Sequence, residues 1–320
     1  MAVPANAVLT FGTVGIREDL TDAVSLIDPT ETPFYSGIRK EKVKAQYHEW
    51  QLDSLTAASS SNKHIEGDDS TLEAQTSTTR VGNRCQILKK VYGVSGSLQA
   101  ANIAGRDGGE LGRLRMNKGL ELKRDIESTL LNSQASSAGS TTAGAALGGL
   151  PNWLTQYTGN SGAGTTPGFS SNNVAAVVDS TVTATFVESD LQTIAQTIWE
   201  NGGKPDVAMM GAFNKRQGSN FSGIAQLQRE TGTGPAYVVG AVDVYGTDWG
   251  DIAFIPNRFQ RARDVFVLEM SKFAVGFYRP IKREDLAKTG DSKKEHMVTE
   301  LTLIVDNEKS SGKIVDRATS

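Results

Sequence analysis

Apolar and polar positions alternate most clearly in two segments that flank a long polar interval. Over residues 43–55, VKAQYHEWQLDSL, Val43, Ala45 and Tyr47 fall on one side and His48, Trp50 and Leu52 on the other. Over 86–98, QILKKVYGVSGSL, the two-residue period returns at Leu88, Lys90, Tyr92 and Val94. Each predicts a strand of about ten residues, roughly 33 Å long. The interval between them includes NKHIEGDDSTLEAQTSTTRVGNRC at 62–85, with no apolar run that could form a core. The simplest geometry is a long two-stranded hairpin with a wide polar tip. A lone hairpin is marginal in water, and a long structureless loop is unusual inside a compact domain. Both difficulties vanish if the hairpin lies on a neighbouring subunit.

Helical spacing appears in three places. Leu20, Val24 and Ile27 predict a short amphipathic helix in REDLTDAVSLI. Pro29 and Pro33 then favour an extended path, because proline fixes its own φ and restricts the residue before it. Phe34, Tyr35 and Ile38 end this arm, which either packs on something outside itself or straps its own domain. The strongest helix spans 109–134, with Leu111, Leu114, Leu122, Ile126 and Leu130 near one face. At about 1.5 Å per residue it is roughly 37 Å long. Gly112 and Gly119 weaken it and read as places of close approach. The third helix follows Thr185 and Glu188, which read as a capping box. It presents Val187, Leu191, Ile194 and Ile198 on one face and stops at Gly202–Gly203.

Between the second and third helices, residues 135–184 are rich in glycine, serine and threonine and read as loop. LPNWL is an island there whose Leu150 and Trp153 should dock on the body. Downstream, PDVAMMG is a buried strand, AFNKRQGSNFSG a short helix or turn, and AYVVGAVDVYGTDWGDIAFIPN holds further strands. DVFVLEMSKFAVGFYRPI and EHMVTELTLIVDNE are strands by their β-branched and aromatic content. The pattern is α+β, with an α/β body from about residue 186.

Composition narrows the function. The 320 residues are 38% hydrophobic and 22% charged, within the globular range. A net charge of -3 gives no basic excess for a dedicated nucleic-acid binder. The single cysteine, Cys85, excludes an internal disulfide and a multi-cysteine zinc site. No apolar stretch is long enough for a membrane span, and the N-terminus lacks the pattern of an export signal.

Candidate chemistry is sparse. His48, His64 and His296 have no metal-ligand spacing, and Asp68 and Asp69 lack the pattern of a calcium loop. GAALGGL lacks the Lys-Ser or Lys-Thr of a phosphate loop; AGRDGGELG lacks the dinucleotide spacing. No cofactor is implied. Cys85 sits in a strand pattern with no adjacent histidine. Arg258, Arg261 and Arg263 in RFQRAR are either a solvated face, a phosphate contact, or an ion-pair site between subunits. For an enzyme with a mobile hairpin lid, Asp206, Asp243, Asp248 and Asp251 are the only acids to nominate.

An extended arm, a long hairpin, a long helix and an α/β body closing with long strands resemble the major capsid protein of tailed bacteriophages. Encapsulins and the herpesvirus capsid floor share that fold. Local sequence strengthens the likeness: IDPTETPFYSGI, HEWQLDSL, IEGDD, TTRVGN, KGLELKRDIESTLL, LGGLPNWL, PDVAMMGAFNKR, PNRFQRARDVFVLE and LAKTGDSKKEH look like one subfamily of such head proteins. The resemblance implies an N-terminal arm at 1–41, an extended loop at 42–99 and a peripheral domain at 100–185 with the spine helix 109–134. An axial domain follows at 186–269, peripheral strands at 270–308, and a C-terminal segment at 309–320 that returns to the axial domain.

It implies a structural protein with no catalysis, self-assembling as pentamers and hexamers into an icosahedral or prolate shell around double-stranded DNA. The alternatives are the lidded α/β enzyme or another virion component. Expected partners are the chain itself, a separate scaffolding protein, a portal, a decoration protein, and packaged DNA in non-specific contact. Assembly would take place in the bacterial cytoplasm, with no membrane involved. Lys63 sits in the kind of loop that some relatives cross-link, but nothing else here marks that chemistry. Expected contacts between subunits are Pro33, Phe34, Tyr35, Trp50, His64, Ile65, Leu72, Arg80, Arg258, Arg261 and Arg263.

Overall fold

The computed structural model describes residues 28–67, 69, 72–75, 77–101, 109–159, 169–170, 173–177, 179–221 and 243–320. The helix expected around Leu20, Val24 and Ile27 lies outside them, as do residues 236–242, the start of the stretch expected to hold further strands. In chain order the first half contributes α1 (Pro33–Gly37), β1 (Arg39–Lys42), β2 (Tyr47–Leu52), β3 (Thr79–Arg84), β4 (Gln86–Ser95), α2 (Gly96–Ala100) and α3 (Gly109–Leu131). Next come α4 (Leu150–Trp153), β5 (Gln156–Thr158), β6 (Phe169–Ser170), β7 (Asn173–Val174), α5 (Glu188–Glu200), β8 (Val207–Met210) and α6 (Ala212–Gly218). The chain closes with β9 (Val244–Thr247), β10 (Gly250–Pro256), β11 (Val265–Leu268), β12 (Phe273–Asp285), β13 (Ser292–Val305) and β14 (Gly312–Ile314).

Two larger sheets carry the architecture. A four-stranded sheet has the order β1-β12-β13-β4, with β1 parallel to β12 and the other pairs antiparallel. The long helix α3 lies against it. Leu122, Ile126, Leu130 and Leu131 are buried there with Phe273, Val275, Leu301 and Leu303, each worth about 2 kcal/mol of apolar burial. The second sheet has the order β5-β14-β11-β8-β10-β9. Its core joins Leu191, Ile194 and Ile198 of α5 to Met210, Ile252, Phe254, Val265 and Val267. Helix α5 ends at Gly202, whose φ of +81° suits a residue without a Cβ.

Several expectations change. The hairpin pairs β2 with β3, in register from Tyr47 opposite Arg84 to Leu52 opposite Thr79. It does not pair 43–55 with 86–98. β4 instead pairs with β13, some 200 residues further on, because its Leu88, Lys90, Tyr92 and Val94 side faces α3. β3, with the sequence TRVGNR, carries almost no apolar signal, yet Val81 and Asn83 are buried. Residues 33–37 form a helical turn rather than an extended stretch.

The α5 N-cap is Val187, whose N–H donates to Asp190 at 3.1 Å, so Thr185 and Glu188 do not make the box. Val187 itself is exposed. A Cβ at Gly112 would meet nothing, and one at Gly119 only Met297 at 3.9 Å, so neither glycine marks a close approach. β5 lies within the residues expected for the peripheral unit, yet it forms an edge of the six-stranded sheet. Leu150 and Trp153 are fully buried in the core, as the LPNWL island suggests.

Candidate functional site

The β2–β3 hairpin is anchored at its base and free at its tip. Trp50 stacks on Trp153 with ring centroids 5.3 Å apart, and its indole N–H donates to the Val305 carbonyl at 3.0 Å. The buried Asn83 side chain donates to the carbonyls of Gly148 (3.1 Å) and Leu303 (3.0 Å) and accepts from Gly148 N–H at 2.8 Å. Gly82 admits no side chain, since a Cβ there would stand 2.8 Å from the His48 carbonyl. Beyond the anchor, the described residues of 53–78 are exposed, and the contacts among Ser59, Ser61, Asn62 and His64 are local. Leu55, Ile65 and Leu72 project with almost no cover; Ile65 is 79% exposed. An apolar side chain in that position gains free energy only by meeting a partner.

A second feature joins three distant parts of the chain. Glu127 on α3 is fully buried, and its carboxylate accepts from the N–H of Phe34 (2.9 Å), the N–H of Tyr35 (2.7 Å) and the Asn257 amide (2.6 Å). Burial raises its pKa, and the three hydrogen bonds oppose that shift. The arm, the long helix and the loop after β10 therefore meet on one carboxylate.

The third is a charge cluster around the C-terminal segment. Arg261 pairs with Asp179 and with Asp264 at 3.1 Å. Arg263 reaches Asp316 at 2.8 Å and Asp179 at 3.5 Å, and the buried Arg317 reaches Asp190 at 3.0 Å. Burial pushes Asp264 up to about 6, against the pull of Arg261. Burial likewise lowers the Lys313 amine to about 8, and that amine donates to the Pro151 carbonyl at 2.6 Å. The cluster borders an open cleft of about 580 Å³. Among the described residues its arginines already face carboxylates of their own chain.

The sequence-nominated contact residues are thus dispersed. Phe34 and Tyr35 are buried in the chain's own core, with Pro33 half-buried at the start of α1, so the strap reading describes them rather than an outward contact. Trp50 anchors the hairpin within the chain. Arg261 and Arg263 make ion pairs inside the chain. His64, Ile65, Leu72, Arg80 and Arg258 remain exposed, with Arg80 paired across the hairpin to Glu49. Sequence reasoning missed Glu127 and Asn83, although a glutamate one place after Ile126 on the apolar face of a helix was the available signal.

The acids nominated for catalysis do not converge. Asp206 accepts from Met270 N–H at 3.0 Å, and Asp243 is exposed and 3.6 Å from Lys215. Asp248 and Asp251 are exposed around the β9–β10 turn. Among the described residues no group of three or more His, Cys, Asp or Glu side chains is placed to hold a metal, and no helix is long and apolar enough to cross a membrane. Cys85 is buried, and burial pushes its thiol up to about 12, which makes it a poor nucleophile.

Comparison with known proteins gives a consistent picture. The family model described as SU10 major capsid protein matches residues 4–318. The major capsid protein of Escherichia phage Phieco32 is 35% identical over 121 residues, 38% of this chain. That match spans 34% of the length of the curated relative. Among solved structures, a chain of the Cyanophage A-1(L) capsid asymmetric unit superposes with a TM-score of 0.63 at 11% identity, covering 95% of this chain and 98% of that one. For Gordonia phage Cozz the TM-score is 0.61 at 9% identity, covering 99% and 97%. For the satellite phage P4 procapsid including size determination (Sid) protein it is 0.54 at 10% identity, covering 90% and 89%. At these identities the structural likeness establishes the fold.

Proposed function

The chain belongs to the SU10 major capsid protein family, and from that premise we propose that its copies close into the icosahedral or prolate head shell of a tailed phage, around double-stranded DNA. The role is structural, as it is for the family. The observation that carries the reading in this chain is the hairpin: a base locked by Trp50, Asn83 and Val81, and a tip whose Leu55, Ile65 and Leu72 find no cover. A surface built this way fits a neighbouring copy in the same capsomer.

In this reading the four-stranded sheet with α3 forms the peripheral domain, and the six-stranded sheet with α5 and α6 forms the axial domain. The axial domains gather around five-fold and six-fold axes in pentamers and hexamers. Residues 28–42 serve as an arm that straps the chain's own body before the hairpin departs. His64, Ile65, Leu72, Arg80 and Arg258 are the remaining contact candidates between copies. A separate scaffolding protein, a portal and a decoration protein are the further partners, with assembly in the bacterial cytoplasm. A net charge of -3 suits a wall that touches packed DNA without gripping it.

The test is deletion of residues 56–76, which spares β3 with its buried Val81 and Asn83. The expected product is a folded chain that sediments without closed particles, read by electron microscopy. Closed shells of normal shape from the deleted chain would overturn the assignment of the hairpin.

A further inference from the structure

Two basic segments far apart in the chain meet around the buried Glu127. From the arm, the Lys40 amine lies 4.8 Å from the centroid of the Tyr35 ring, and the Tyr35 N–H donates to Glu127. From α3, the Arg124 guanidinium lies 5.3 Å from the centroid of the Phe259 ring. Phe259 is itself held to the same carboxylate. Its N–H donates to Asn257 Oδ1 at 2.8 Å, and the Asn257 amide donates to Glu127.

These cations lie on one side of the molecule. On β1, Lys40 stands opposite Val275 and Lys42 opposite Phe277 of β12. Val275 and Phe277 pack into the core beneath α3. Residues opposite on neighbouring strands share a face, so Lys40 and Lys42 belong to the α3 side. Both are exposed, as is Lys123 of α3, and Arg124 is half-buried. Among the described residues none of the four pairs with a carboxylate. The acids beside them on α3 are engaged, Glu121 by Lys118 and Asp125 by Lys90, each at 2.7 Å. Glu41 pairs with Arg39, and Asp28 borders Arg124 across a small cavity. Helix α3 exposes one large apolar side chain, Met116, two turns before Lys123. Arg258, a candidate contact between copies, is exposed next to Phe259.

We propose that this patch, formed by Lys40, Lys42, Lys123 and Arg124, is where the wall meets the phosphates of packaged double-stranded DNA. The inference rests on the reading that the shell encloses DNA, and it names the surface that touches it. A cation lying over an aromatic ring keeps its charge and still has N–H groups to give to phosphate oxygens. Such contacts depend on salt and ignore base sequence. They fit a chain whose net charge is -3, because these cations are gathered on one side. The rival partner is an acidic protein segment. A contact with a protein draws its energy from large apolar anchors at its centre, and the patch has none. Glu127 acts here as a positioning residue, holding the arm and the loop after β10 against α3.

The test titrates the full-length chain, before assembly, with a short DNA duplex of arbitrary sequence at several salt concentrations, read by fluorescence anisotropy. Lys123→Gln with Arg124→Gln should reduce the slope of log affinity against log salt by about 2. Lys40→Gln with Lys42→Gln, on the exposed strand β1, should do the same and leaves the Arg124–Phe259 stack in place. The control removes equal charge from the other face of the four-stranded sheet. Lys90 of β4 pairs with Asp125 of α3, so Lys89 and its row partner Lys282 point away from the helix. Lys89→Gln with Lys282→Gln should leave the slope unchanged. A slope reduced equally by the control, or a parent chain that does not bind the duplex at low salt, overturns the patch. Both patch variants should also close into DNA-free particles at the parent yield. Loss of those particles would mean that the patch meets an acidic protein, and overturns the assignment to DNA. A parent chain that never closes into shells overturns the enclosing-shell reading itself, whatever the duplex shows.

Discussion

Trp50 of the hairpin and Trp153 of the short helix α4 stack with ring centroids 5.3 Å apart, and the two residues are 103 positions apart in the chain. The stack fixes where the hairpin leaves the body, because the Trp50 indole also donates to the Val305 carbonyl. Trp50→Ala should lower stability by about 3 kcal/mol, since a large aromatic is removed from a packed site. Chemical denaturation measures the loss. Assembly should fall further than stability predicts, because the hairpin loses its exit angle.

Glu127→Ala leaves the Phe34 and Tyr35 N–H groups and the Asn257 amide without their shared acceptor. The expected cost is about 2–3 kcal/mol. Hydrogen exchange of the Phe34 and Tyr35 amides should accelerate at least tenfold relative to amides in β13. Glu127→Gln keeps one acceptor oxygen and should fall between the two. Because burial raises the pKa of Glu127 in the folded chain, its ionised form is disfavoured there. Its contribution is present in acid and lost as pH rises through that elevated value. Glu127→Gln should therefore remove a fall in stability that sets in as pH rises above about 4.5.

Glu295 behaves with the opposite sign. The Arg115 guanidinium donates to it at 2.5 and 2.9 Å and holds its carboxyl down to about 2 from 4.5. That stabilisation is fully present above pH about 4.5 and is lost as pH falls through about 2. Arg115→Ala should cost about 3 kcal/mol at neutral pH, because it takes two charged hydrogen bonds from a buried carboxylate and leaves it only Lys293 at 3.6 Å. The difference from the parent chain should be constant from pH about 5 to 8 and shrink below about 4, as urea denaturation at each pH would show.

Arg261 and Arg263 should behave as stability residues and Arg258 as a surface residue. Alanine at either of the first two strands a carboxylate, above all the buried Asp264 or Asp316, and should lower the thermal midpoint by several degrees. Arg258→Ala should leave it within about 1 °C. Equal effects at all three positions would contradict the pairing.

The sequence alone determined the element types wherever one period ran long enough. The apolar stripe of α3, the four buried residues of β8 and the β-branched runs of β11, β12 and β13 are local signals, because burial of one face imposes them residue by residue. The order of those elements, with the motifs that accompany them, was enough to suggest the fold. Partner choice was different. β4 alternates as a strand must, but nothing in QILKKVYGVS says that its neighbour is β13 rather than the strand before it. That was decided by which partner lets Leu88 and Tyr92 meet α3.

β3 shows the reverse case. TRVGNR has too little apolar content to announce a strand, and it becomes one because Asn83 and Val81 find carbonyls and core only in the folded body. The arginines at 261 and 263 were legible as ion-pair formers, but their partners Asp179, Asp264 and Asp316 come from three places in the chain. Charge pairing acts through space, so its sign is written in the sequence while its address is set by the tertiary structure.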